Sequence, residues 1–119
     1  MKQIGAISGH VIALLDLHIA PDTPIFLGRT NKIHMREKHP QAFLRYGADI
    51  PTILACPDFV GMNPSDGSIE YVKEYIVQQE HVKVAVRVST KGRYYARSLY
   101  VLNPNRVENF VAKGTLKRI

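Results

Sequence analysis

The chain has 119 residues, 45% of them apolar and 22% charged, which is the make-up of one compact domain and not of a disordered or fibrous segment. Sixteen Lys plus Arg stand against ten Asp plus Glu, leaving +6, a balance that favours an anionic partner such as nucleic acid. The longest apolar stretch, Val11 to Ile19, is broken by Asp16 and His18 and falls far short of the ~20 residues a membrane helix needs, so no membrane contact is expected.

In chain order, residues 10 to 19 alternate, with Val11, Ala13, Leu15, Leu17 and Ile19 on one side, and predict a half-polar strand. Pro21, Asp22 and Pro24 mark a turn, and Ile25 to Leu27 predict a second strand ending at Gly28. Thr30 or Asn31 can cap a helix running through Ile33, His34, Arg36 and Lys38, until Pro40 biases His39 away from helical dihedrals. Pro40 suits the first turn of another short helix to Tyr46, closed by Gly47 in the left-handed conformation. Ile53 to Ala55 predict a helical turn between Pro51 and Pro57, and Gly61 to Gly67 a connector.

The remainder is rich in valine and tyrosine and predicts three strands: Ile69 to Gln78, His81 to Ser89 and Tyr94 to Leu102. Lys91-Gly92 fits a two-residue hairpin turn between the last two. Asn103 caps, Pro104 starts and Gly114 ends a C-terminal helix. Pairing Thr90 with Arg93 would set Val82, Val84, Val86 and Val88 across from Val101, Leu99, Arg97 and Tyr95 on the core face. The other face then gathers Lys83, Ala85, Arg87 and Ser89 with Tyr94, Ala96, Ser98 and Tyr100, a shallow basic platform. Arg97 on the apolar side is an anomaly of this register.

The densest polar cluster is Asn31, Lys32, His34, Arg36, Glu37, Lys38 and His39. A solvated helix face accounts for such a run. The sharper reading is acid-base chemistry: imidazole titrates near neutrality, so a pair of histidines can hold one base and one conjugate acid, as in-line cleavage of an RNA phosphodiester requires. Zinc is disfavoured, because His34 and His39 are five apart and no glutamate adjoins His34. The only cysteine, Cys56, allows no thiolate set or internal disulfide and reads as buried; with no secretory leader pattern, a reducing cytoplasm is expected. There is no glycine-rich phosphate loop and no Gly-x-Ser-x-Gly elbow, so nothing calls for a cofactor.

The order of parts resembles the phage-associated nuclease domains of the barnase/EndoU/colicin/RelE-like superfamily. The resemblance spans residues 10 to 102 and rests on a short helix with His34 and a basic residue, the His39-Pro40 and Ile50-Pro51 steps, Pro57-Asp58, and a strand with Tyr95, Arg97, Ser98 and Tyr100. It implies an α+β fold in which short N-terminal helices pack on a four-stranded or slightly larger antiparallel sheet, here followed by a C-terminal helix. It further implies a metal-independent endoribonuclease or toxin that needs no cofactor. RNA would be the substrate, and an immunity or antitoxin protein a neutralising partner. The matching catalytic positions are His34, His39 and Ser98. Arg36, Lys38, Lys83, Arg87, Tyr94, Tyr95, Arg97 and Tyr100 are the substrate-binding candidates. The competing expectation is an RNA-binding or protein-interaction module of the same fold without chemistry.

Overall fold

The computed structural model, which describes residues 1–119, is built on a seven-stranded mixed sheet with four helices against one face and a fifth helix over part of the other. The strands are β1 (Lys2–Ile7), β2 (Thr23–Leu27), β3 (Phe59–Met62), β4 (Ile69–Tyr75), β5 (Glu80–Val88), β6 (Tyr94–Leu102) and β7 (Leu116–Arg118). Their order across the sheet is β1-β2-β6-β5-β4-β3-β7. The helices are α1 (Gly9–Leu15), α2 (Arg29–Lys38), α3 (Pro40–Tyr46), α4 (Ile50–Ala55) and α5 (Pro104–Ala112). No helix is long and apolar enough to cross a membrane.

The sheet is larger than the four strands expected, and it is not wholly antiparallel, because β2 runs parallel to β6. The segment expected as a strand from residue 10 begins instead as helix α1. Val11, Leu14 and Leu15 stand at helical spacing as well as in the alternation, and local chemistry decides between the two periods. Ser8 accepts the Val11 N–H at 3.2 Å as a helix cap, and Asp16, at φ 54°, closes the helix in the left-handed region. Edge strands β1 and β7 are short or glycine-interrupted, which hides their period.

Other boundaries follow their expected causes. His39 joins α2 to α3, with Pro40 in the first turn of α3. Gly28 rather than Thr30 or Asn31 is the cap residue of α2, and the Asn31 side chain accepts the Gly28 N–H at 2.9 Å. Gly47 does not turn left-handed; at φ −57° it leads into a 3-10 turn over Gly47–Asp49 that continues into α4. Asn103 caps α5 by accepting the Asn105 N–H at 2.8 Å, and Gly114 at φ 79° ends it.

The main core lies between the sheet and α1 to α4. Val11, Met35, Tyr46, Ile50, Ile53 and Leu54 from the helices meet Ile25, Val60, Tyr71, Val82, Val84, Val86, Ala96 and Leu99 from the strands. On the opposite face Phe59, Val72, Leu102, Val107 and Leu116 form a smaller cluster under α5. Beyond α5 that second face is open.

Two constraints hold the ends of the sheet. A Cβ on Gly61 would sit 1.8 Å from the Thr115 carbonyl oxygen, so β7 can pair with β3 only where that residue has no side chain. Gly61→Ala is therefore expected to lower stability by about 3 kcal/mol, the upper end of overpacking penalties, read as a fall in the urea midpoint; an unchanged midpoint would contradict the close approach. At the β4–β5 hairpin, Arg45 and Tyr46 both donate to the Glu80 carboxylate, and Tyr75 donates to Asp49 at 3.0 Å. The hydrogen bonds from Tyr46 and Arg45 hold the Glu80 carboxyl below its usual range. A depressed carboxylate contributes stability that is complete above the unfolded-state pKa and is lost as pH falls through the folded one. Glu80→Gln is expected to flatten the fall in stability below about pH 5, measured as denaturation midpoint against pH.

Candidate active site

The site is set by how β5 pairs with β6. Gly92 adopts φ 81°, Ser89 and Arg93 face each other, and Gly92 N–H reaches the Ser89 carbonyl at 2.9 Å. The connection is therefore Thr90, Lys91 and Gly92, a three-residue loop ending in a left-handed glycine, not the two-residue turn expected. Near the loop this shifts the pairing by one, to Val88 with Tyr94, Arg87 with Tyr95 and Val86 with Ala96. A β-bulge at Arg97 then restores the expected register, Ala85 with Ser98, Val84 with Leu99, Lys83 with Tyr100 and Val82 with Val101.

The bulge redistributes the candidates between faces. Tyr94, expected on the platform, packs against the main core, and Ala96 beside it is fully buried. Tyr95, expected in the core, pairs with Arg87 and is half-buried, while Arg97 is exposed as the extra residue of the bulge. The anomaly of an arginine among valines disappears, because the register that put it there holds only on the far side of it. This face thus carries Lys83, Ala85 and Arg87 from β5 beside Tyr100, Ser98 and Tyr95 from β6; Arg87 is exposed, Tyr95, Ser98 and Tyr100 are half-buried, and Lys83 and Ala85 are buried.

Beneath Tyr100 lies a buried ion pair. Lys83 is 4% exposed and Glu70, from β4, is 7% exposed; the ammonium donates to Glu70 Oε2 at 2.6 Å and stands 4.7 Å from the centre of the Tyr100 ring. Burial by itself would lower the Lys83 pKa, but contacts to Glu70 and Tyr100 outweigh it and leave the pKa above its ordinary value. Asn63 Nδ2 adds a contact to Glu70 Oε2 at 3.4 Å. Asp66 sits nearby, its carboxyl held low by the Ser68 backbone and side chain, with Arg87 and Lys83 contributing. Glu70 and Asp66 are the residues that the sequence reading missed. Lone Glu70 between inward-facing Ile69 and Tyr71 was the available sign, usable only with a β4–β5 register.

His39 completes the rim. β2 pairs with β6 only through Ile25 and Phe26 opposite Tyr94 and Tyr95, so the second half of β6 has no neighbouring strand on that side. The α2–α3 junction occupies the gap, and the His39 ring stacks on Tyr100 with centres 5.1 Å apart and planes 26° from parallel. A hollow of about 370 Å³ here is lined by Lys38, His39, Pro40, Gln41, Ala42, Tyr100 and Val101. A second hollow, about 410 Å³, opens toward the start of α2 and includes Ser89, Tyr95 and Arg97.

The other candidates lie apart. His34 is exposed on α2 and is not among the residues around His39's hollow. Arg36 is exposed and places its guanidinium over Phe43, 5.4 Å from the ring centre. Cys56, expected to be buried, is exposed at the end of α4. The largest hollow, about 450 Å³ under α5 around Phe59, His81 and Arg118, contains none of the expected site residues. No three His, Cys, Asp or Glu side chains come together in a metal-binding arrangement.

The arrangement can receive an anion on Arg87 and Arg97, stack a flat ring on Tyr95, and move a proton at His39. Comparison with curated proteins and with solved structures finds no match. A family profile described as phage-Barnase-EndoU-ColicinE5/D-RelE like nuclease3 matches residues 2–109, a span that includes the helix junction and every strand of the open face. The chain therefore belongs to this nuclease family.

Proposed function

We propose that the protein is a metal-independent endoribonuclease that cleaves RNA through a 2′,3′-cyclic phosphate on the open face of the sheet. The observation that carries this reading is the stacking of His39 on Tyr100 at the rim of a cationic face, directly above the Lys83–Glu70 pair. The strand enters along β6, with a base against Tyr95 and phosphates toward Arg87 and Arg97. His39 takes the 2′-hydroxyl proton. The 2′-oxygen then attacks the adjacent phosphorus in line with the departing 5′-oxygen, while Arg97 and the Ser98 hydroxyl accommodate charge on the non-bridging oxygens. The products are a 2′,3′-cyclic phosphate and a 5′-hydroxyl end.

Lys83 acts from beneath the surface in this reading, since its ammonium is covered by Tyr100 and occupied by Glu70. Lys38 faces the His39 hollow and adds positive charge at its edge. His34 and Arg36 have no step.

Incubation of the purified protein with single-stranded transcripts is expected to give cyclic-phosphate ends with chelator present, and no cleavage where the ribose at the scissile position is 2′-deoxy. His39→Ala should lose at least about 100-fold in rate, the usual scale of an acid-base group, while His34→Ala stays close to the unaltered protein. Binding of RNA without turnover, insensitive to His39→Ala, would instead establish a non-catalytic module. Cleavage of the deoxy substrate, or loss of activity in chelator, would exclude the mechanism.

A further inference from the structure

We infer that Tyr100 is the second proton-transfer group of the site, giving its phenolic proton to the leaving 5′-oxygen, and that the buried Lys83–Glu70 pair is there to hold the charge it then carries; this rests on the endoribonuclease reading above. In-line cleavage needs one group to accept a proton and another to donate one. His34 stands outside the hollow, leaving His39 without a histidine partner. Tyr100 is the protic side chain in contact with it, ring on ring.

The surroundings of Tyr100 are those of a proton donor. From β5 the Lys83 ammonium lies 4.7 Å from its ring centre, and from the α2–α3 junction His39 stacks on it while Lys38 lines the same hollow. From β4 Glu70 accepts the Lys83 ammonium, and on the α5 side Tyr100 packs against the apolar cluster of Phe59, Val72, Leu102, Val107 and Leu116. Arg87 and Asp66 stand farther along the same face. A phenol that gives up its proton becomes an anion, and a fixed, buried ammonium alongside stabilises that anion.

The ion pair has no good structural reason to be where it is. A buried salt bridge seldom adds net stability over apolar residues of similar volume, and Lys83 and Glu70 interrupt a face on which Val72 and Leu102 already pack apolar. Glu70 fixes the ammonium under the ring. Lys83 and Glu70 are thus positioning residues, and Tyr100 is the catalytic one.

The protons balance. His39 removes the 2′-hydroxyl proton as the bond from the 2′-oxygen to phosphorus forms and the bond from phosphorus to the 5′-oxygen breaks. Tyr100 Oη protonates the departing 5′-oxygen, leaving an imidazolium stacked on a phenolate beside an ammonium. Return of the proton from His39 to Tyr100 through water restores both groups, and the net change is one proton moved from the 2′-oxygen to the 5′-oxygen.

A leaving group that needs no proton isolates this step. RNA carrying sulfur in place of the bridging 5′-oxygen expels a thiolate unaided, whereas ordinary RNA requires the acid. On ordinary RNA, Tyr100→Phe should lose about 100-fold in rate. On the sulfur-bridged strand it should come within a few-fold of the unaltered protein, with His39→Ala impaired on both. The double variant Lys83→Met with Glu70→Gln leaves no charge unpaired; it should slow cleavage of ordinary RNA at least tenfold and spare the sulfur-bridged strand. Tyr100→Phe impaired equally on both strands would overturn the assignment of Tyr100 while leaving the endoribonuclease reading intact. An unaltered protein that cuts neither strand would overturn both.

Discussion

The extra residue that β6 inserts opposite Ala85 governs what each face of the sheet presents. Side chains in a strand alternate, so a register error of one residue exchanges core for solvent along its whole length. The three-residue loop at Gly92 introduces such an offset, and the bulge at Arg97 cancels it. Between the two, Tyr94 and Ala96 turn inward; beyond them, Leu99 turns inward and Tyr100 outward. Neither device works without the other. A loop of this length alone would bury Ser98 and Tyr100, and a bulge alone would bury Tyr95. Together they seal Val82, Val84 and Val86 of β5, leaving Val88 half-exposed beside the loop, and collect the polar side chains on the other face. The charged residue that β6 itself contributes, Arg97, stands at the bulge, where the ladder is already disrupted and a long side chain can leave the sheet.

A second constraint acts at the edge of β6. Its parallel pairing with β2 covers only its first residues, and an unpaired strand edge ordinarily has to be covered or blunted. Here the cover is α2 and α3, joined at a residue that belongs to neither. His39 has φ −138° and ψ 67°, outside the helical region, because Pro40 disfavours helical dihedrals in the residue before it. The same proline that ends α2 thereby swings the imidazole over the edge toward Tyr100. A continuous helix would have carried this position along its own axis, away from the rim. The edge is thus protected by the segment that brings in the titratable ring.

Much of this was legible from residue types and much was not, for identifiable reasons. The helix break at His39, the capped C-terminal helix and the three long strands follow from proline, asparagine, glycine and β-branched residues acting locally. Residues 10 to 19 misled because an almost wholly apolar stretch satisfies both the two-residue and the 3.6-residue period, and Ser8 and Asp16, not the apolar pattern, resolve it. Lys2 to Ile7 and Leu116 to Arg118 are too short or too interrupted to show any period, so two edge strands went unseen. On the sheet, Lys83, Arg87, Ser98 and Tyr100 share one face as the hairpin register implied, whereas Tyr94 and Tyr95 exchange places because a bulge leaves no mark in composition. Glu70 was hidden for a different reason: its place between inward-facing Ile69 and Tyr71 gains meaning only once the β4–β5 register brings it to Lys83.

That contact also explains why the open face is not simply a cationic patch. Exposed lysines and arginines attract phosphate but remain solvated, and salt screens them. Lys83 is taken out of water, so its field is less screened and is directed at the one ring lying over it. Leaving that ammonium unpaired would cost several kcal/mol, and Glu70 removes most of this penalty at the price of the pair's net charge. What survives is an oriented dipole with its positive end under Tyr100. Such a dipole does little for a phosphate already bound to arginine, but it matters for any negative charge that appears on the ring itself. Surface cations can gather a polyanion from solution; a fixed, desolvated one acts on the groups beside it, and in this fold the ring beside it is that of Tyr100.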